Sequence, residues 1–145
     1  MRRTLWRAVS VVFVLGLTLL GCSSGGPNRS QNPSSASGFN IDLVMTPNVL
    51  RGATAGTGEA QGGCGQVTAK VFDELGQLVD GAFVNLTTTL GRFPGANPGQ
   101  EFVSVGGSTV RGIFDFPLCA KAERGTGTVT ATVEDAVATI LFTVF

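Results

Sequence analysis

From Phe39 onward apolar and polar residues alternate singly, in runs that are short and sharply bounded. Ile41-Asp42-Leu43-Val44-Met45 opens the series and is stopped by Thr46-Pro47-Asn48. Gln66 to Phe72 then sets Val67, Ala69 and Val71 on one face and Thr68 and Lys70 on the other. A period of two marks a strand with one buried face, because successive side chains point to opposite sides of a sheet. Asp73-Glu74-Leu75-Gly76 makes the next turn, with Gly76 free to take positive φ. The return strand, Gly81 to Leu90, turns Ala82, Val84 and Leu86 inward, whereas Phe83 falls on the outward parity. Thr109 to Leu118, Thr128 to Val133 and Ala136 to Phe145 complete the pattern, the last entered through Glu134-Asp135. Nothing in this region carries the 3.6-residue period of a helix. About seven short strands, each with one buried face, predict an all-β fold in which residues 39–145 form a β-sandwich.

The pattern upstream of Phe39 is different in kind. Arg2, Arg3 and Arg7 give a positive start, and Ala8 to Leu20 follows as an apolar run interrupted only by Ser10, Gly16 and Thr18. That is the layout of a signal peptide. As a helix the run reaches roughly 21 Å, short of the about 20 residues that cross a hydrocarbon core. It ends in Leu19-Leu20-Gly21-Cys22, which resembles the lipobox of bacterial lipoprotein precursors. The resemblance implies that residues 1–21 are removed and that Cys22 becomes an acylated first residue, palmitate being typical of its chains. Each buried methylene contributes roughly 0.8 kcal/mol, so more than one acyl chain would hold the protein stably to a membrane. Ser23 in place of Asp implies, by the sorting tendency of the same family, the outer membrane of a two-membrane envelope. Residues 23–38, SSGGPNRSQNPSSASG, hold nothing large and apolar and are expected, with Cys22, to form a disordered tether.

A second resemblance covers most of residues 40–145. Val67-Thr68-Ala69-Lys70-Val71-Phe72-Asp73-Glu74-Leu75-Gly76 and the following Gly81-Ala82-Phe83-Val84 are similar to the bacterial immunoglobulin-like repeats of invasins and intimins. Thr88-Thr89-Leu90-Gly91, Gly112-Ile113-Phe114 and Gly125-Thr126-Gly127-Thr128-Val129-Thr130-Ala131 occupy the family's later landmarks in order. Leu78 stands where the repeats have proline, and the segment before the glycine strand is reduced to Thr109-Val110-Arg111-Gly112. The resemblance implies an immunoglobulin-like sandwich used as a surface spacer or adhesin, with no catalytic residues. Fold similarity alone does not give function.

Composition narrows the chemistry. Without the three arginines of the signal, seven basic side chains remain against ten acidic ones, a balance that argues against nucleic acid as a partner. The chain of 145 residues has no histidine, which removes Ser-His-Asp and Cys-His mechanisms and the commonest zinc ligand. With Cys22 assigned to lipid, Cys64 and Cys119 remain, in a protein exported to where disulfides persist. A bridge between them is the simplest reading and two free thiols the alternative. Both cysteines lie off the inward parity of their strands, and a closed loop of about 55 residues is worth roughly 4 kcal/mol. Asp73, Glu74, Asp80, Glu134 and Asp135 are turn acids, ordinary as solvated carboxylates and otherwise candidates for calcium. Tyr is absent and the single Trp belongs to the signal, so sugar stacking has few aromatics to use. Phe72, Phe83, Phe93 and Phe102 are left as candidates for an apolar contact patch, the last two in a long Gly91 to Ser108 loop. The expectation is therefore a non-enzymatic, lipid-anchored envelope module without cofactor or metal, acting through a protein partner. A glycan- or calcium-binding module is the alternative.

Overall fold

The computed structural model describes residues 35–53 and 62–145; the apolar run, Cys22 and the tether up to Ser34 lie outside the described residues. Along the described chain the strands are β1 (Asn40–Thr46), β2 (Val49–Leu50), β3 (Cys64–Phe72), β4 (Phe83–Thr88), β5 (Phe93–Pro94), β6 (Glu101–Phe102), β7 (Ser104–Ser108), β8 (Ile113–Cys119), β9 (Gly125–Val133) and β10 (Ala136–Val144). They build a three-stranded sheet in the order β1-β3-β8, a five-stranded sheet in the order β2-β10-β9-β4-β7, and a β5-β6 ribbon. Only β2 runs parallel to its neighbour, β10.

The alternation seen in the sequence sets the layering. Ile41, Leu43 and Met45 from β1 and Val67, Ala69 and Val71 from β3 face Val84, Leu86, Val129, Ala131, Ala138, Ile140 and Phe142 from the larger sheet, in a single buried cluster. Full burial of a Leu, Ile or Phe side chain is worth about 1.5–3 kcal/mol, so this one interface between sheets is the main source of stability. The register follows from it: Leu43 pairs with Ala69 and Met45 with Val67, and Ala138 pairs with Ala131 and Ile140 with Val129. A slip by one residue would turn every one of these side chains to solvent.

Three features depart from the sequence reading. The Gly91 to Ser108 segment, expected as a loop, contains β5, β6 and β7. β5 and β6 are two residues each, and β7 reads Ser-Val-Gly-Gly-Ser, so no hydrophobic alternation marks them. The strand expected from Thr109 begins instead at Ile113, because Val110 and Ile113 exchange backbone hydrogen bonds of 2.9 and 3.1 Å around Arg111 and Gly112. Both central residues have positive φ, 54° and 77°, the signature of a type I′ hairpin turn. The last four residues assigned to the tether, Ser35 to Gly38, form a turn held on the β9-β10 hairpin: Asp135 accepts hydrogen bonds from the N–H groups of Ala36 at 2.7 Å and Ser37 at 3.1 Å. Serine and glycine need no core to be ordered when a carboxylate takes their backbone donors.

Candidate functional site

Cys64 and Cys119 face each other directly in the β3-β8 ladder and are joined by a disulfide, with S–S at 2.04 Å and Cα atoms 4.0 Å apart. The N–H and C=O of Cys119 both bond to Arg92 on the far side of β8. The Cys64–Cys119 pair therefore exchanges no ladder bonds and is of the narrow kind in which side chains come closest. The bridge lies on the outer face of its sheet, as the off-parity placement of both residues requires.

The turn acids are occupied by the backbone. Asp73 accepts from Leu75 N–H at 2.9 Å and Gln77 N–H at 2.8 Å, Asp80 from Arg111 N–H at 2.8 Å, and Asp135 from the tether turn. Hydrogen bonds from Ser37, its side chain first, hold the Asp135 carboxyl below the ordinary aspartate value of 3.8 against the opposing effect of desolvation, with Ala36 N–H assisting. Glu74 packs against Gly38, and Glu134 takes a φ of 51° as the first residue of the β9-β10 hairpin. Among the described residues no three of His, Cys, Asp and Glu come together as metal ligands would. The five acids lie on three turns, and Asp80 and Glu134 line one cleft, without a third such ligand beside them among the described residues.

The phenylalanines divide. Phe93 is fully buried and meets Phe116 edge-on with ring centroids 5.9 Å apart, so it belongs to the core and not to a contact patch. Phe72 is half-buried at the end of β3. Phe83 and Phe102 stay exposed, at 63 % and 45 %. Phe83 lies on the outer face of the large sheet over Gly106, where an added Cβ would come within 2.8 Å of its ring; Phe114 lies beneath the adjacent Gly107 from within the core, at 2.5 Å by the same measure. Two glycines in β7 thus let one ring pack on each side of the strand.

Two open clefts flank this region. One, of about 480 Å³, is lined by Phe39, Val79, Ala82, Phe83, Val133 and Glu134 among others. The other, of about 330 Å³, runs between the β5-β6 ribbon and β7, with Pro94, Phe102, Val105 and Phe116 in its walls. Neither sets a nucleophile beside a base. The chain matches no protein-family model and no curated protein.

Thr109, expected only as the first residue of a strand, is buried. Its hydroxyl donates to Val79 C=O at 2.7 Å and accepts from Ala82 N–H at 3.0 Å, pinning the β3-β4 connection to the end of β7. A threonine between Ser108 and Val110 has no sequence signal that separates it from its surface neighbours.

Proposed function

We propose that the protein is a lipid-anchored module of the bacterial cell envelope, held in the outer membrane through acyl chains on Cys22, whose single immunoglobulin-like domain serves as a structural or adhesive contact element. The observation that carries this reading is the Leu19-Leu20-Gly21-Cys22 segment after a short apolar run, ahead of a domain closed by a disulfide. A disulfide belongs to an exported protein. The immunoglobulin-like assignment draws support from strand order. β10-β9-β4 stands where that fold has G-F-C, β1-β3-β8 where it has A-B-E, and the chain after β1 crosses to the other sheet to run beside the last strand as β2. The bridge between Arg92 and Cys119 brings the start of the β5 segment beside β8, the place of the fourth strand of that sheet.

Contact rather than catalysis fits a domain in which, among the described residues, side chains hold the fold together and face solvent with no nucleophile set beside a base. Calcium binding draws less support, because Asp73, Asp80 and Asp135 each hold backbone N–H groups and no three candidate ligands converge among the described residues. The test is metabolic labelling with a palmitate analogue, followed by membrane fractionation. Wild-type protein should carry label and sediment with the outer membrane, and Cys22→Ala should lose both. Label and sedimentation unchanged in Cys22→Ala would overturn the reading.

A further inference from the structure

Charge is distributed unevenly between the two sheets. The strands of the smaller sheet carry Asp42, Lys70 and Asp115, whereas no strand of the larger sheet holds a charged residue. The outer face of the larger sheet is built mainly of threonine. Val129, Ala131, Ala138 and Ile140 turn into the core, so Thr126, Thr128, Thr130 and Thr132 of β9 and Thr139 and Thr143 of β10 turn out. The register sets Thr139, Thr130, Thr87 and Ser104 abreast across four strands.

At the disulfide end this face changes character. Leu50, Val144 and Gly125 lie in line across β2, β10 and β9. Phe145 N–H bonds to Leu50 C=O at 3.1 Å and Gly52 N–H to Phe145 C=O at 2.9 Å, the parallel pattern that places Arg51 beside Phe145. Arg124, which precedes Gly125, flanks Phe145 on the other side. All three side chains are exposed, Phe145 at 59 %. With strands about 4.8 Å apart, the Cα atoms of the two arginines stand about 10 Å apart with the ring between them.

Four cations gather at this end, and two are already matched, Lys121 with Glu101 and Arg92 with Glu123. Among the described residues Arg51 and Arg124 form neither an ion pair nor a side-chain hydrogen bond. A terminal carboxylate on Phe145 would still leave the row net positive. The turn acids Asp73, Glu74, Asp80, Glu134 and Asp135 stand at the tether end with only Arg111 among them, so the field along the strands steers an anion to the disulfide end.

We propose that the row of Arg51, Phe145 and Arg124 binds an acidic glycan, with a sugar carboxylate between the guanidinium groups and the neighbouring sugars on the threonine face. Charge complementarity selects an anion, and arginine holds a carboxylate through paired N–H donors. The uncharged hydroxyl face selects a glycan over an acidic peptide. A peptide laid there would need partners for its own N–H and C=O groups, and the backbones of β10, β9 and β4 are already paired within the sheet. A sugar offers hydroxyls and C–H faces, which the hydroxyl and methyl of threonine match. Thr143 and Thr126, paired immediately beside the row, are the first to meet the sugar next to the acid.

The inference rests on the adhesive reading and gives it a partner. The row stands at the end opposite the turn that receives the tether, so an anchored copy presents it to glycan beyond its own membrane. One such contact is weak, and many anchored copies on one polymer supply adhesion.

The experiment measures binding by the full chain carrying Cys22→Ala at low salt. Its probes are polygalacturonate as the acidic glycan, the methyl ester of the same polymer as its uncharged form, and polyglutamate as an acidic peptide. Polygalacturonate should bind at least about tenfold more tightly than either, and lose affinity as salt rises. Arg51→Gln/Arg124→Gln should lower that affinity at least about tenfold with the melting temperature kept, and Arg111→Gln, at the tether end, should leave it unchanged. Thr126→Val/Thr143→Val, which removes hydroxyls and no charge, should weaken polygalacturonate about threefold and leave polyglutamate as it was. Polyglutamate bound as tightly as polygalacturonate, or full affinity in the double arginine variant, overturns the site. Lipidated wild-type protein in vesicles tests the adhesive reading separately: the vesicles should stay on a polygalacturonate-coated surface. Binding in solution with no retention of the vesicles overturns that reading and upholds the site.

Discussion

At the residue scale, Thr109 shows how one polar side chain is worth burying. Among the described residues only Thr88 and Thr109 are buried polar side chains, and Thr109 serves a donor and an acceptor of the β3-β4 connection at once. Thr109→Val keeps the shape and removes both bonds, stranding Val79 C=O and Ala82 N–H; the expected loss is about 2 kcal/mol by urea denaturation. Thr139→Val, on the exposed outer face of β10, should stay within about 0.5 kcal/mol. Asp135 gives a pH signature. Its carboxyl titrates lower folded than unfolded, so its contribution is full above the unfolded value near 3.8 and is lost as pH falls through the lower folded value. Melting curves taken downward from pH 5 should show wild type converging on Asp135→Asn in that window. A constant gap between the two would refute the linkage. Beside it, Glu134 holds a φ of 51° that favours glycine; Glu134→Gly is expected to raise stability by about 1 kcal/mol.

At the scale of elements, the long strands were legible because each buries one face of a continuous core, and period two is that burial written along the chain. β3 and β10 alternate without interruption, and their parity places Val67, Val71, Ile140 and Phe142 in the core. The outward parity of Phe83 was equally readable. β7 was not, because Gly106 and Gly107 have no side chain to reveal a face; the rings that cover them come from β4 and β8. Phe93 misled for a related reason, since a two-residue strand shows no period and its burial depends on Phe116, a partner distant in the chain. The glycine pair makes this testable. A methyl group at Gly107 meets the half-buried Phe114 ring, which is packed against the core, so Gly107→Ala should destabilise by about 1–3 kcal/mol. At Gly106 it meets the exposed Phe83, which can swing aside, and the Val84 carbonyl at 3.3 Å, so Gly106→Ala should cost less than Gly107→Ala. Equal effects in thermal melts would mean that the two rings are held alike.

At the scale of the molecule, the disulfide and the tether occupy opposite ends. Ser35 to Gly38 are bound to the β9-β10 hairpin, near Phe39 and Phe83, whereas Cys64 and Cys119 close the far end of β3 and β8. A protein held at Cys22 would thus offer its disulfide end to the space beyond the membrane, about 25–30 Å away along nine-residue strands. The bridge spans a sequence separation of 55 and encloses β4 to β7, so it constrains in the unfolded chain the segment that carries the β7 edge. Loop closure of that length is worth about 4 kcal/mol in the chain-entropy model, an upper figure if the unfolded chain keeps residual structure. Cys64→Ala/Cys119→Ala should therefore lower the urea midpoint of the whole domain by a corresponding amount. Wild type under reductant should move to the same midpoint. The β1, β9 and β10 amides should lose protection together with those of β4 and β8, because one core joins both sheets. If hydrogen exchange instead showed only the segment between the cysteines opening, with β9 and β10 still protected, the two sheets would be separate cooperative units and the single-core account of stability would fail.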